Sequence, residues 1–455
     1  MKKFFVALMI IFIFSIGAVC AEDMNQDDSI SINSENEMVI ANDDSISIDS
    51  ANEMLMDNDD SISIDKENKM LMDNDDPISD SSEKTFTELN ESISSSISEF
   101  NLTNDYVYED SDGNFSAGIN LVNITINGNN YTIDCKGKAN AFSINANDVV
   151  INDLTLKNCN LTMIKINGIY NVTLNNVNFI DDDNLESEKR CMINGGPSSS
   201  TINNFFTSKL VLNDCRFYST VQHLFDIDSY RLNIKIQNCE FSGSASCYGH
   251  VNVEGAFLYV NNSTFTNLNA KYATAIYAAT TYALINNTQF SNLNANLTAG
   301  AFGIKYDDIA NLTPQFSIEN CIFENVSCKN DGGAIFIDAG GMFGPKNNTI
   351  STIRNCSFNN CSSSFGGAVC HLNCELAIDN CNFTNNYADV AGGAIYTSLC
   401  NLNLTNSRLN NNVAAQQAGA IFFDNKTLNI INSNITESFV YYDFFEKYTA
   451  YTLYA

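Results

Sequence analysis

Apolar and polar residues alternate along most of the chain, as in LNIKIQNCEF (232–241) and ELAIDNCNF (375–383). Alternation with a period of two predicts strands with one buried face, and the 3.6-residue spacing of an amphipathic helix is absent from this region. The runs also recur in phase. An Asn- or Asp-x-x-Phe element puts an aromatic at Phe217, Phe241, Phe265, Phe290, Phe323, Phe358 and Phe383, and the register continues at Leu409 and Ile435. Most intervals are 24 to 26 residues. The two wider ones, ending at Phe323 and Phe358, contain KYDDIANLTPQ and AGGMFGPKNNT, whose Pro and Gly mark loop insertions. A second series, Ala275, Ala301, Ala334, Ala368, Ala394 and Ala420, follows the first by ten or eleven residues.

A repeat of about 25 residues that holds short strands and no helix predicts one coil of a solenoid. The fold class expected is therefore all-β: a single right-handed parallel β-helix over residues 105–437, with roughly twelve coils and a length of ~60 Å at ~4.8 Å per coil. Each repeated residue has a physical reason. Phe and Ile stack on their equivalents in the next coil, because no coil can bury its own apolar face alone. Asn tolerates the left-handed backbone of a coil corner, and its amide can hydrogen-bond along the stack. The pair Gly392 and Gly393 permits positive φ at another corner, and Ala394 fits where the coil is narrow.

The G-G-A-I and F-x-N repeats (Gly332 to Ile335, Gly366 to Val369, Gly392 to Ile395) resemble those of the chlamydial polymorphic outer-membrane proteins. Together with a secretory start and the segment from TFTELNESISSSISEF (85–100) to residue 137, they are still more similar to the adhesin-like proteins of methanogenic archaea. The resemblance spans about residues 83–437. It implies a surface-exposed, adhesive protein whose partners are extracellular glycans or surface proteins. Neither an outer-membrane barrel nor a wall-binding or Ig-like module follows the repeats, which departs from those families.

The N-terminus reads as a secretory signal peptide over 1–21, with Lys2 and Lys3, an apolar run from Phe4 to Val19, and cleavage expected after Ala21. No later segment has the length and apolarity of a membrane span. Residues 22–82 contain a different, 16-residue repeat typified by NDDSISIDSANEMLMD. Between 22 and 80 there are 19 Asp and Glu against two Lys, a local balance of −17 within a net charge of −30. Such a segment self-repels and cannot offset its ordering entropy, which predicts a disordered spacer. The acidity argues against nucleic acid and anionic lipid as partners. Residues 83–104 form an expected N-terminal cap: Thr85 and Glu88 make a capping box, and Phe86, Leu89, Ile93, Ile97 and Phe100 share one helical face. The aromatic stretch 438–455 is either a closing cap or the ragged end of a truncated product.

Fifteen cysteines in an exported chain would ordinarily signal disulfides. Here Cys215, Cys239, Cys321, Cys356 and Cys381 recur once per coil, so their side chains run parallel and are expected to be small buried groups instead. Cys370, His371 and Cys374 have no second ligand pair at metal-binding spacing, and no metal or cofactor is expected.

The rival to adhesion is a carbohydrate-active enzyme such as a polysaccharide lyase, hydrolase or epimerase, or else a purely structural spacer. Catalysis would need carboxylates clustered on one exposed sheet face. The candidates are Asp226 and Asp228 in FDIDSYR, with His250 placed one coil above Asp226. With no further carboxylate aligned across coils, the expectation is a secreted, cell-surface adhesin and not an enzyme. N-glycosylation candidates are Asn123, Asn160, Asn171, Asn262, Asn286, Asn296, Asn311, Asn325, Asn347, Asn403 and Asn434.

Overall fold

The computed structural model describes residues 83–113, 115–182, 191–196, 208–243, 246–279, 282–305, 315–339, 350–424, 427–440 and 453–454. The signal peptide, the acidic spacer, Asn311, Asn347, most of both insertions and most of the aromatic C-terminal stretch lie outside these residues. From Lys84 onward the described strands form a parallel β-helix. One sheet contains 13 strands, one per coil, and the other contains 30 strands, of which each coil supplies one to three. Every pairing given is parallel and joins one coil to the next.

The interior is built from columns of equivalent residues. Phe179, Phe217, Phe241, Phe265, Phe290, Phe323, Phe358 and Phe383 stack face to face, with ring centroids 4.4 to 5.3 Å apart and planes within 10° of parallel. Leu409 and Ile435 extend the column in register. Stacking at the strand repeat is imposed by the backbone, and each ring gains an apolar neighbour above and below. The column begins one coil earlier than the phased aromatics suggested, at Phe179 in the strand Val172–Asp181.

Asparagine occupies two corners. At one, Asn238, Asn262, Asn287, Asn320, Asn355, Asn380, Asn406 and Asn432 all have φ between 47° and 55°. At the other, Asn267, Asn292, Asn325, Asn360, Asn385 and Asn411 lie between 53° and 57°. Their amides also bond along the stack: Asn355 Nδ2 donates to Asn320 Oδ1 at 3.1 Å, and Asn380 Nδ2 to Asn355 Oδ1 at 2.9 Å. Asn thus satisfies both the left-handed backbone and the polar groups it exposes. The glycine pair divides its labour differently from the expectation. Gly392 has φ of +69°, whereas Gly393 is needed for close approach: a Cβ there would lie 2.1 Å from the carbonyl oxygen of Gly419.

The repeating cysteines face backbone carbonyls. Cys239 Sγ donates to Gln237 O at 3.3 Å and Cys381 Sγ to Asp379 O at 3.3 Å. Ser263 and Thr288 fill the same position and make the same bond two residues back at 2.9 and 2.8 Å. The column therefore selects a small X–H donor, and cysteine is one way to supply it. Cys135 and Cys159 differ: the Cys135 N–H bonds to Lys157 O, so the two are one residue out of step, and their Sγ atoms lie 2.7 Å apart.

The N-terminal helix, Phe86–Ser95, has the expected capping box between Thr85 and Glu88. Phe86, Leu89 and Ile93 are buried, and Asn90 accepts the Gly118 N–H at 3.2 Å, which gives the first strand of the 13-stranded sheet a partner on its open edge. The helix is shorter than its apolar spacing predicts. The Ser95 and Ser96 hydroxyls turn back onto the Ser92 carbonyl at 3.0 and 2.8 Å, leaving Ile97 89 % exposed and Phe100 in a strand.

Asp331, half-buried, immediately precedes the glycine corner at Gly332. Burial, with the charge of Asp338 adding to it, pushes the Asp331 carboxyl up to about 7. An unfolded aspartate titrates near ~3.9. Between those values the folded chain holds a proton that the unfolded chain has released, so stability falls as pH rises through the window, by at most about 1.4 kcal/mol per pH unit. Asp331→Asn removes this ionisation. Its urea midpoint is expected to match wild type at pH 4 and to exceed it at pH 8, and identical pH slopes in the two proteins would contradict this assignment.

Candidate functional site

The strand Phe225–Tyr230 belongs to the 13-stranded sheet, between Cys191–Gly195 and Val251–Glu254. Alternation puts Ile227 inside the coil, fully buried, and sends Asp226 and Asp228 to the opposite face. The two aspartates nevertheless meet different surroundings, and the structure separates the three residues singled out from sequence into two groups.

Asp226 and His250 come together as their 24-residue spacing predicts, with His250 Nδ1 2.6 Å from Asp226 Oδ2. A third member, His223, has its Nε2 2.7 Å from Asp226 Oδ1 and its Nδ1 3.2 Å from the Val221 carbonyl. All three side chains are at most 3 % exposed. Burial alone would push the Asp226 carboxyl up, but the flanking His250 and His223 hold it below the usual carboxylate range. Burial likewise works against charge on His223, and the hydrogen bond and charge of Asp226 overcome it, raising the imidazole above its ordinary value. Sequence reasoning missed His223. Its H-x-x-D spacing to Asp226 was available, but it lies in a connecting segment outside the repeat register.

Asp228 is instead the centre of a polar column on the outer face. Lys165, Asn194, Asp228, Asn252 and Tyr277 occupy equivalent positions on five consecutive coils. Asn194 Nδ2 donates to Asp228 Oδ2 at 3.0 Å, and Asn252 Nδ2 to Asp228 Oδ1 at 2.8 Å. Burial pushes the Asp228 carboxyl above the ordinary aspartate value, and those two amides pull it back only in part. Two residues along, Tyr230 pairs in register with Glu254, and the Arg231 guanidinium lies over the Tyr230 ring at 4.8 Å. Glu254 is a carboxylate that alignment across coils did not find, because it sits diagonally from Asp228, one coil up and two residues on. Strand geometry sets those two positions about 8 Å apart.

The remaining candidates are dispersed. His371 is buried, its imidazole pushed down to about 3 by burial, and it meets Cys374 Sγ at 3.1 Å and Thr397 Oγ1 at 3.2 Å. Cys370 is buried with Cys328, Cys400 and the two aspartates Asp331 and Asp338 in its electrostatic surroundings. Among the glycosylation candidates, Asn123, Asn160, Asn296 and Asn434 are exposed, while Asn286 and Asn403 are half-buried. Asn171, Asn262 and Asn325 already donate the amide nitrogen that a glycan would occupy, to Asp148, Asn238 and Asn292 respectively.

Among the described residues no helix is long and apolar enough to cross a membrane. No curated protein matches the chain. Two solved structures are similar to it. One is the alginate lyase AlyF-OU02 in a complex, 10 % identical with a TM-score of 0.38, covering 79 % of this chain and 85 % of that one. The other is a PL6 alginate lyase with a trisaccharide, 12 % identical with a TM-score of 0.28, covering 71 % of this chain and 86 % of that one. The expectation that the chain is not an enzyme is withdrawn beside these two structures, both of alginate lyases, although a likeness of this degree assigns the chain no activity. At such low identity the chemistry has to be read from this chain's own residues. Residues 380–398, one rung of the ladder, match the Chlamydia polymorphic membrane protein repeat.

Proposed function

We propose that this chain is a surface-displayed parallel β-helix that cleaves an extracellular polysaccharide on the outer face of its 13-stranded sheet, with Asp228 and Glu254 as the acid–base pair. The observation that carries this reading is the Asp228 carboxyl, gripped from both sides by the amides of Asn194 and Asn252 on adjoining coils. Strand geometry sets the backbone positions of Asp228 and Glu254 about 8 Å apart on adjoining coils of one face, so the two carboxyl-bearing side chains share the surface on which a general acid and a general base would flank a sugar and a water. In that reaction Asp228 gives its proton to the leaving glycosidic oxygen as the bond to the anomeric carbon breaks. Glu254 takes a proton from the water that forms the new carbon–oxygen bond. Tyr277 offers a face for a sugar ring, the asparagine column offers donors for hydroxyls, and the exposed Lys165 suits an anionic sugar.

The test is a panel of neutral and uronate-containing polysaccharides, scored for new reducing ends and for unsaturated uronate. Wild type is expected to release reducing ends, and Asp228→Asn and Glu254→Gln to lose about 10²- to 10⁴-fold of that rate while remaining folded. Failure of folded wild type to cleave any member of the panel would overturn the proposal, and unsaturated ends would replace hydrolysis with elimination.

The repeat matched at residues 380–398 favours a companion role in attachment at the cell surface. Many weak contacts along a regular face would add by avidity. Asp228→Asn should therefore still attach to cells, and attachment lost together with cleavage would remove this second role.

A further inference from the structure

We propose that His223, Asp226 and His250 form a buried binding site for one divalent transition-metal ion, of the zinc, cobalt or nickel type. A nitrogen of each imidazole and a carboxylate oxygen of Asp226 all lie within 4.8 Å of one another. Two imidazoles and one carboxylate suit such ions, whereas calcium and magnesium prefer an all-oxygen set. The site is held by backbone on both sides. The Ile227 N–H donates to the His250 carbonyl at 2.9 Å, and the His250 N–H to the Thr274 carbonyl at 3.0 Å, so the two coils fix Asp226 and His250 in relative position. On His223 the ring nitrogen turned away from the site meets the Val221 carbonyl at 3.2 Å, the kind of outer contact that orients a ligating imidazole and leaves its other nitrogen to face a metal.

The geometry also defines the competing account. The nitrogen–oxygen separations of 2.7 and 2.6 Å are hydrogen-bond distances. Ligand atoms around a tetrahedral ion with bonds of about 2.0–2.1 Å stand about 3.3 Å apart. Loading therefore requires the side chains to spread by roughly half an ångström, and a metal-free His–Asp–His triad is the alternative. The two differ in composition, so measurement decides between them. The inference is independent of the cleavage reaction at Asp228, and none of its readouts is activity.

The experiment uses the full mature chain purified without chelator. Metal is counted by plasma mass spectrometry, stripped with EDTA, and restored by titration with zinc or with cobalt(II), whose visible absorption reports nitrogen and oxygen ligation. Wild type is expected to hold about one ion per chain, to take up cobalt with the intensified bands of a four- or five-coordinate site, and to unfold at a lower temperature after stripping. His223→Asn and His250→Asn, each smaller but still able to hydrogen-bond, should lose the cobalt spectrum and the response to EDTA. A folded wild type that carries no ion, gives no cobalt bands and unfolds at the same temperature with and without EDTA would overturn the proposal and leave the triad as a hydrogen-bonded unit. That result does not depend on any variant folding.

Discussion

Replacing Phe323 with alanine is expected to cost about 3–5 kcal/mol of stability. The ring is fully buried, 4.8 Å from Phe290 on one side and 4.7 Å from Phe358 on the other, so truncation leaves a gap in the middle of a continuous column. A solenoid holds together through neighbouring coils, and a break there uncouples the N-terminal coils from the C-terminal ones. Urea unfolding of Phe323→Ala should therefore shift to a lower midpoint and broaden or separate into two steps. Tyr218→Ala is the control, because that ring is 43 % exposed on the outer face and should change stability by less than about 0.5 kcal/mol. Equal effects from the two substitutions would mean that the phenylalanine column does not carry the fold.

The second large effect is expected at a glycine. A Cβ on Gly333 would lie 1.8 Å from the Gly367 carbonyl oxygen and 2.8 Å from the Ser362 nitrogen, both backbone atoms that cannot swing aside. Gly333→Ala must push two coils apart. The cost is expected to reach or exceed the upper end of the roughly 1–3 kcal/mol usual for overpacking. The comparison is Gly113→Ala, where an added Cβ meets nothing within 4 Å and stability should be almost unchanged. Thermal unfolding of the two variants checks this, and a Gly333→Ala protein as stable as wild type would show that the coils have slack at this corner.

The residues behind these predictions were legible in the sequence because a solenoid writes each structural role once per coil. Phase alone identified the phenylalanine column, the asparagine corners, the narrow alanine position and the one-coil relation between Asp226 and His250. The division of labour within the glycine pair was not legible, since positive φ at Gly392 and close approach at Gly393 impose the same letter. The helix was read too long because apolar spacing continues through Ile97 and Phe100, while the serine hydroxyls that stop it leave no periodic mark.

The candidate site was less legible for the same reason. His223 sits in a connection and has no counterpart one coil away, and Glu254 is related to Asp228 along a diagonal that a search for vertical alignment passes over. These two proposed site residues thus lie off the repeat's vertical register. The cysteine column shows the converse: a residue type that invites disulfide or metal readings proves to be interchangeable with Ser263 and Thr288 in one hydrogen-bonding position.

The most direct test of the proposed reaction is the structure of Asp228→Asn bound to an oligosaccharide prepared from whichever polysaccharide wild type cleaves. The saccharide should lie along the outer face of the 13-stranded sheet, crossing Lys165, Asn194, Asn252 and Tyr277, with a glycosidic oxygen beside residue 228 and a water between the scissile carbon and Glu254. A saccharide seated instead on the repeat face around residues 380–398, with the Asp228 column empty, would contradict the account and leave binding without cleavage as the role of this surface.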